Sequence, residues 1–344
     1  MSTLKERNAE RLKKSIAGEK ADGHAVFNYY TYPFFHAVTK VPLNEYFHNP
    51  KVMFDAQLEA LQLLDGCGNF APDAGAVAEC SALGGKVRFD EHGYISVASA
   101  EIEELDDVLA IKPGDPYGNN YMRIALEQLE YMVEHCPAGY KVNPHAIMGP
   151  FTVGAQLRGI SDFCADTIAD PDLVWAILDL VIETQVNFIK AQEKILGAPL
   201  HHILVCDDLS AFLSEPAYQE FILPAYDKLF KEFPNTQRWL HNDSTARHVA
   251  PDIPKGGMVA WQYHPSISPQ DALALTGNKV SLLGGLNPVE LAGLTEEQTI
   301  EKCNQVIDSF GGNNRCVLAA GGSINQVPLA NLRAMFRVAD ERKI

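Results

Sequence analysis

Short apolar runs alternate with longer segments of helical periodicity from about residue 140 to the end of the chain. Each run contains β-branched, aromatic or other large apolar residues and leads into polar or glycine residues, which is typical of a buried strand. The predicted strands lie in VNPHAIMG, HHILVCDD, TQRWLHND, MVAWQYH, KVSLLGGLN and RCVLAAGG. The predicted amphipathic helices are 171–192, 215–233, 268–275, 295–310 and 328–338. This alternation predicts βαβ units and a parallel sheet.

The first part of the chain adds two further predicted strands, VFNYYTYPF and GCGNFAPD, each followed by helical sequence. After them, GGKVRFDEHGYISVAS predicts a β-hairpin with its turn at residues 91–93. Eight strand–helix pairs predict an α/β fold, a single (β/α)8 TIM barrel domain over residues 1–344 with an N-terminal helical extension and a β-hairpin insertion near 85–100. A doubly wound open sheet is the alternative, although no strand is followed by GxGxxG.

Composition and charge narrow the class of protein. Of the 344 residues, 47% are hydrophobic and 21% are charged, which is enough for a large buried core. The 28 basic and 44 acidic residues give a net charge of −16, which argues against binding to nucleic acid or to an anionic membrane. The most apolar stretch, 173–182, is interrupted by Asp179, and MSTLKERNAERLKKS lacks the apolar core of a secretory signal. We therefore expect a cytoplasmic protein.

The seven cysteines stand far apart, and none of them forms a CxxC pair. Their odd number and their spacing predict neither a disulfide framework nor a thiolate zinc knuckle. We expect most of them to pack as small hydrophobic residues.

Polar residues follow the apolar interior of nearly every predicted strand. In a TIM barrel the carboxyl ends of the strands carry the chemistry, so we expect these residues to gather at one open end. The candidates are Tyr30, His145, Asp207, Asp208, His241, Asp243, Gln262, His264 and Asn287. Asp207 and Asp208 are adjacent carboxylates after an apolar strand, and we expect them to be catalytic rather than a solvated pair.

Five motifs, in order along the second half, resemble those of the uroporphyrinogen decarboxylase superfamily. They are Gly149-Pro150-Phe151-Thr152, DDLSAFLSEPAYQEFILPAY at 207–226, LHND at 240–243, GGLNPVELAG at 284–293 and AAGGSINQVPLANL at 319–332. The motif resemblance covers the chain from Gly149 onward. For the earlier residues only the layout of predicted strands and helices is similar. It implies the same TIM barrel.

True uroporphyrinogen decarboxylases of this superfamily hold a tetrapyrrole with many carboxylates, using an arginine-bearing N-terminal segment and a histidine in the final loop. Here the first strand region, VFNYYTYPFF, contains no arginine, and the final loop Gly321-Gly322-Ser323 contains no histidine. Such a substrate needs several cations to offset the loss of its hydration. We therefore do not expect this chain to decarboxylate uroporphyrinogen.

The superfamily also contains corrinoid-dependent methyltransferases that use zinc to activate a thiol or a methyl ether oxygen. Their coenzyme M branch carries His-x-Cys and a later cysteine, whereas this chain has His241-Asn242-Asp243 and Gly322, so both thiolates are missing. The demethylase branch instead has an acid–acid–histidine arrangement with the spacing Glu-x14-Glu-x20-His. Glu220 and His241 fit its second interval, but the first is two residues short and begins with Asp207.

The candidate metal ligands are accordingly His241, Asp243 and Glu220. His241 suits Zn²⁺ as a neutral imidazole, and the alternative is a histidine that only hydrogen-bonds at the rim. Asp243 shares a strand face with His241 and is a ligand, a carboxylate that orients the imidazole, or an N-cap for a helix from Ser244. For Glu220 the alternative is an exposed helical acid. The candidate substrate-binding residues are Tyr30, His145, Gln262, His264 and Asn287.

The resemblance and these residues predict a zinc-dependent methyltransferase (EC 2.1.1 type). We expect it to move a methyl group from a small O-methyl or N-methyl compound to a corrinoid, with zinc as Lewis acid and a rim aspartate as proton donor. The chain contains no DxHxxG cobalamin motif, so the corrinoid is expected on a partner protein. The alternatives are a small-substrate decarboxylase or lyase (EC 4.1.1 type) and a non-catalytic ligand-binding relative. A homodimer is left open.

Overall fold

The computed structural model of the protein describes residues 2–98 and 102–344. The strands in these residues are β1 (Val26–Tyr30), β2 (Val87–Phe89), β3 (Ile95–Val97), β4 (Ile147–Met148), β5 (His202–Cys206), β6 (Gln237–Asn242), β7 (Met258–Tyr263), β8 (Ser281–Leu286) and β9 (Cys316–Ile324). Seven of them form one sheet in the order β1-β9-β8-β7-β6-β5-β4, and β2 pairs with β3. The β1–β9, β4–β5, β7–β8 and β8–β9 pairings are parallel. This order is that of a TIM barrel, which confirms the predicted α/β fold class.

Helices follow or connect the strands. They are α1 (Leu4–Ala17), α2 (Tyr32–Thr39), α3 (Leu43–His48), α4 (Pro50–Leu63), α5 (Ala78–Ala82), α6 (Leu105–Ala110), α7 (Tyr121–His135), α8 (Pro150–Arg158), α9 (Ile160–Ala169), α10 (Pro171–Leu196), α11 (Glu215–Ala217), α12 (Leu223–Lys231), α13 (Pro269–Leu275), α14 (Pro288–Gly293), α15 (Glu296–Ser309) and α16 (Leu329–Glu341). The N-terminal helical extension is thus confirmed as α1. Among the described helices, none is both long enough and apolar enough to span a bilayer.

Two predictions for the first part of the chain have different outcomes. The hairpin is confirmed, with Val87 opposite Val97 and the turn between β2 and β3, while residues 99–100 of the predicted insertion lie outside the described residues. The strand predicted in GCGNFAPD is wrong. Within the described chain this segment contributes one isolated bridge, between Phe70 and Val142.

The chain divides into two compact units, and the prediction of a single domain over residues 1–344 stays a prediction. The first unit comprises Met1–Val41, Asp55–Asn69 and Trp239–Ile344. Its core is apolar and includes Trp261, Leu282 and Leu318. The buried guanidinium of Arg11 binds Asp340 at 2.7 Å, so α1 is held to α16 by an ion pair as well as by packing.

The second unit comprises Pro42–Phe54 and Phe70–Arg238. Its longest element, α10, packs against α7 and α8. Asp170 caps the first turn of α10 and Pro171 occupies the first helical position, where the missing N–H costs no hydrogen bond. α10 buries apolar residues such as Ile177 and Phe188.

Candidate functional site

The candidate site in the first unit is built around His241, near the carboxyl end of β6. This side chain is 5% exposed, although histidine is a polar residue. The ring of Tyr29, from β1, lies against it, with the ring centroids 5.1 Å apart. A polar ring held at a strand end by an aromatic neighbour is a positioned group rather than a solvated one.

The Nδ1 atom of His241 lies 2.7 Å from Oε1 of Gln262, which is on β7. Gln262 is buried, and its Nε2 donates to the carbonyl oxygens of Ala320 (2.7 Å) and Gly322 (3.0 Å). Both acceptors belong to β9 at an irregularity in its pairing with β1. There Phe27 pairs with Ala319 and Tyr29 with Ser323, so β9 bulges. Bulges next to active sites re-aim backbone and side chains, and here the bulge supplies the carbonyls that hold Gln262.

Asp243, two residues after His241, is exposed. A ligand oxygen of Asp243 and a ring nitrogen of His241 lie within 4.8 Å of each other. A Cβ added at Gly322 would lie 3.3 Å from Oδ2 of Asp243. Positions 241, 243 and 322, at which this chain lacks the two cysteines of the coenzyme M branch, therefore meet in space.

The N-cap alternative for Asp243 is wrong, because no helix begins at Ser244. The chain forms turns there, and the N–H of Ser244 donates to Oδ1 of Asn242. Imidazole and carboxylate within 4.8 Å are the donor types that bind Zn²⁺ in catalytic sites, which commonly use such ligands and leave a position open. His241 and Asp243 therefore fit a zinc ion as two of its ligands.

Two other predicted residues of the first unit, Tyr30 and Asn287, have local partners. Tyr30 stacks on Phe34, its hydroxyl accepts from Nδ2 of Asn28 at 3.0 Å, and burial raises its pKa. Asn287 caps α14, accepting from the N–H of Val289 at 2.9 Å. These contacts are structural, and substrate binding by the two residues stays a prediction.

His264 lies just beyond the end of β7. Its Nδ1 accepts from the N–H of Ser266 at 3.1 Å, which ties the ring into the turn. The sequence pattern placed Gln262 and His264 on one strand face. In the structure, the side chain of Gln262 forms hydrogen bonds with His241 and with β9. These contacts indicate its role more directly than the strand face on which it lies.

In the second unit, Asp207 directly follows β5 and is completely buried. Its Oδ1 accepts from the N–H (3.1 Å) and Oγ1 (2.7 Å) of Thr152, and its Oδ2 from the hydroxyl of Tyr226 (2.7 Å). Burial raises the pKa of Asp207, and these hydrogen bonds oppose the rise. The carboxyl group thus anchors the start of α8, and its predicted catalytic role stays a prediction.

The remaining two acids differ in exposure. Asp208 is half-buried and precedes a short 3-10 turn, Leu209–Phe212. Glu220 is exposed on the π-helical turn Tyr218–Ile222, between α11 and α12. Exposure favours the alternative of a solvated acid for Glu220, and its role as a ligand stays a prediction.

The second unit also buries two ionisable groups beside β4. Nε2 of His145 accepts from the N–H of Ala74 at 3.1 Å, and burial lowers the pKa of His145 to about 4. Glu79 accepts from the N–H of Met148 at 2.9 Å, and burial raises the pKa of Glu79 to about 7. Sequence reasoning missed Glu79, because nothing in AECSAL distinguishes it from an exposed helical acid.

The chain is similar in sequence and in fold to known proteins. A family model described as uroporphyrinogen decarboxylase (URO-D) matches residues 8–342. The methylated-thiol–coenzyme M methyltransferase of Methanosarcina mazei is 26% identical over 304 residues, covering 86% of this chain and 80% of that protein. A uroporphyrinogen decarboxylase of Xanthomonas axonopodis is 27% identical over 150 residues, 42% of this chain and 41% of that protein. A solved methyltransferase from Methanosarcina mazei has the same fold, with a TM-score of 0.83 at 20% identity over 99% of both chains.

Proposed function

This chain belongs to the uroporphyrinogen decarboxylase (URO-D) family, and we propose that it is a zinc-dependent methyltransferase of that family. It takes a methyl group from a small O-methyl or N-methyl compound and passes it to a corrinoid that a separate protein carries. The observation that carries the proposal is the buried His241, oriented by Gln262 and adjacent to the carboxylate of Asp243. The similarity to a methyltransferase over most of both chains supports it.

His241 and Asp243 are the residues that hold the metal in this proposal. When bound, zinc supplies Lewis acidity toward the heteroatom that carries the methyl group. The heteroatom keeps the electron pair of the broken bond and takes a proton, while the acceptor provides the pair for the new bond to carbon. We assign the proton to Asp208, the half-buried acid, because a general acid must reach the substrate and Asp207 is completely buried.

For the same reason, Asp207 is poorly placed to act as the general acid of the decarboxylase or lyase alternative. Three of the donors to Asp207 come from Thr152 and Tyr226, so its oxygens are occupied by the protein. The non-catalytic alternative predicts binding without turnover.

Two measurements test the proposed function. Metal analysis of the purified protein should find zinc, and chelation should remove both the metal and the activity. The purified protein should also methylate cob(I)alamin from at least one member of a donor panel of methyl ethers, N-methyl amines and methyl thioethers. Thioethers are included because the Methanosarcina relative is named for a methylated thiol. Methyl transfer without metal would contradict the role of zinc in the proposal, and binding without turnover would favour the non-catalytic alternative.

A further inference from the structure

The side-chain amide of Gln262 has only one orientation that satisfies its neighbours. Its nitrogen faces the carbonyl oxygens of Ala320 and Gly322, and its oxygen faces Nδ1 of His241. Exchanging nitrogen and oxygen would point an acceptor at two carbonyl acceptors inside a buried site. Both carbonyl oxygens would then lose their donors, and only one amide N–H would find a new acceptor, at Nδ1 of His241, so each lost partner costs about 1–3 kcal/mol. The hydrogen-bond network therefore fixes the orientation of the amide.

The fixed amide oxygen determines which nitrogen of His241 carries the proton. A neutral imidazole has one N–H and one lone pair, and an amide oxygen can only accept. Because Nδ1 lies 2.7 Å from that oxygen, Nδ1 must be the protonated nitrogen. The lone pair is then on Nε2.

We infer that Gln262 is a positioning residue that locks His241 in the Nδ1–H tautomer, so that Nε2 is the nitrogen that coordinates the metal. This inference deepens the proposed function and rests on it for the identity of the metal. Metal-binding histidines generally donate their second N–H to a carboxylate, carbonyl or water, which fixes the tautomer. Here a neutral amide has that role.

The choice of glutamine follows from its other two contacts. A carboxylate at position 262 would meet the carbonyl oxygens of Ala320 and Gly322 without donors for them. Glutamine both accepts from His241 and donates twice to β9. It therefore links the metal-binding histidine by hydrogen bonds to the bulge of β9. That bulge carries Gly322, which lies close to Asp243 in space.

The tautomer is measured directly by ¹⁵N NMR of the histidine side chains in metal-free protein at pH 8. The His241 signals are assigned by their absence from His241→Ala. The wild type should show Nδ1 protonated. Gln262→Met, which keeps the volume and removes the acceptor, should shift His241 toward Nε2–H. Gln185→Met, which removes a buried amide of the second unit, is the matched control and should leave the His241 signals unchanged.

Zinc competition with a chromophoric chelator supplies the second readout. Gln262→Met should weaken zinc binding about 10–100-fold, while Gln185→Met should stay close to the wild type. A wild-type spectrum with Nε2 protonated would overturn the inference, even if every variant at position 262 failed to fold. If the wild type shows Nδ1–H but binds no zinc, the tautomer lock stands and the proposed function fails.

Discussion

The carboxylate of Asp243 differs from most acids on this surface because it shares its surroundings with His241. The proposal predicts that Asp243→Asn, which keeps the shape and removes the charge, lowers zinc affinity by more than the roughly 10–100-fold typical of a carboxylate that only orients a ligand. Chelator competition measures the change. Asp106→Asn is the matched control, since it removes the same charge from an exposed acid on α6. Equal zinc affinities for the two variants would show that Asp243 takes no part in the site.

Glu79 makes the stability of the protein depend on pH. Burial raises its pKa from 4.5 to about 7, so between these values the folded protein keeps a proton that the unfolded chain releases. Glu79 therefore makes its full contribution to the free energy of unfolding below about pH 4.5, and this contribution falls as pH rises toward 7. We predict that the free energy of unfolding of the wild type falls by on the order of 3 kcal/mol between pH 5 and pH 8 relative to that of Glu79→Gln, because one pKa unit corresponds to about 1.4 kcal/mol.

Urea titrations of both proteins at pH 5 and pH 8 measure this difference. The comparison between proteins is needed because burial also lowers the pKa values of His24, His145 and His202 to about 4, which makes stability rise with pH up to about 6.5. Both proteins contain these histidines, so their contributions to the pH dependence cancel in the comparison. Parallel pH dependence of the two proteins would mean that Glu79 is ionised in the folded state.

At the scale of elements, the end of β5 and the start of α8 are joined by one carboxylate. A Cβ at Gly149 would overlap the carboxyl group of Asp207, so only glycine lets the two elements approach this closely. Asp207 then accepts two donors from Thr152, in the first turn of α8, where a negative charge also interacts well with the helix dipole. The Gly-Pro-Phe-Thr motif is therefore explained by packing around Asp207.

The hydrogen bonds between Asp207 and Thr152 predict that replacing threonine by valine destabilises the protein more at position 152 than at position 167. Thr152→Val removes a donor to a buried carboxylate and should destabilise the protein by about 1.5–3 kcal/mol. Thr167→Val removes a bond to the carbonyl of Cys164 within α9 and should cost about 1 kcal/mol or less. Chemical denaturation measures both. A loss for Thr152→Val no larger than that for Thr167→Val would contradict the anchoring role of Asp207.

The alternation of apolar and polar residues was sufficient to predict the strands of the second half, because each is buried and its period is regular. It failed at GCGNFAPD for a specific reason. After the bridge at Phe70, the N–H groups of Asp73 and Ala74 donate to the side chains of Gln128 and His145 instead of to a neighbouring strand. Side-chain acceptors from distant parts of the chain leave no local pattern in the sequence.

The same limit applies to the candidate site. Strand periodicity placed His241 and Asp243 on one face, and the structure brings their ligand atoms within 4.8 Å. It did not reveal that Gln262 serves His241, since that contact depends on neighbouring strands and on the bulge in β9. Nor did it show that Asp207 is anchored by Thr152 and Tyr226, because adjacent acids look alike in sequence.

At the scale of the whole molecule, family membership does not by itself specify the reaction. The first strand region contains tyrosine and phenylalanine but no arginine, and the final loop has glycine where the decarboxylases that it resembles have histidine. Without cations to offset the loss of hydration, a substrate with many carboxylates should not bind. We predict that incubation with uroporphyrinogen yields no coproporphyrinogen above the spontaneous background. Formation at a higher rate, detected chromatographically, would contradict this.

The most direct test of the zinc-dependent methyl transfer is the methylation of cob(I)alamin by the purified protein, followed by its absorbance change in the presence of the donor panel. We predict activity in the wild type, loss on chelation, recovery on adding zinc, and loss of both zinc and activity in His241→Ala. His92→Ala, at the exposed tip of the hairpin, should behave as wild type. Full activity of His241→Ala, or of chelated wild type with no detectable metal, would contradict zinc-dependent methyl transfer by this protein.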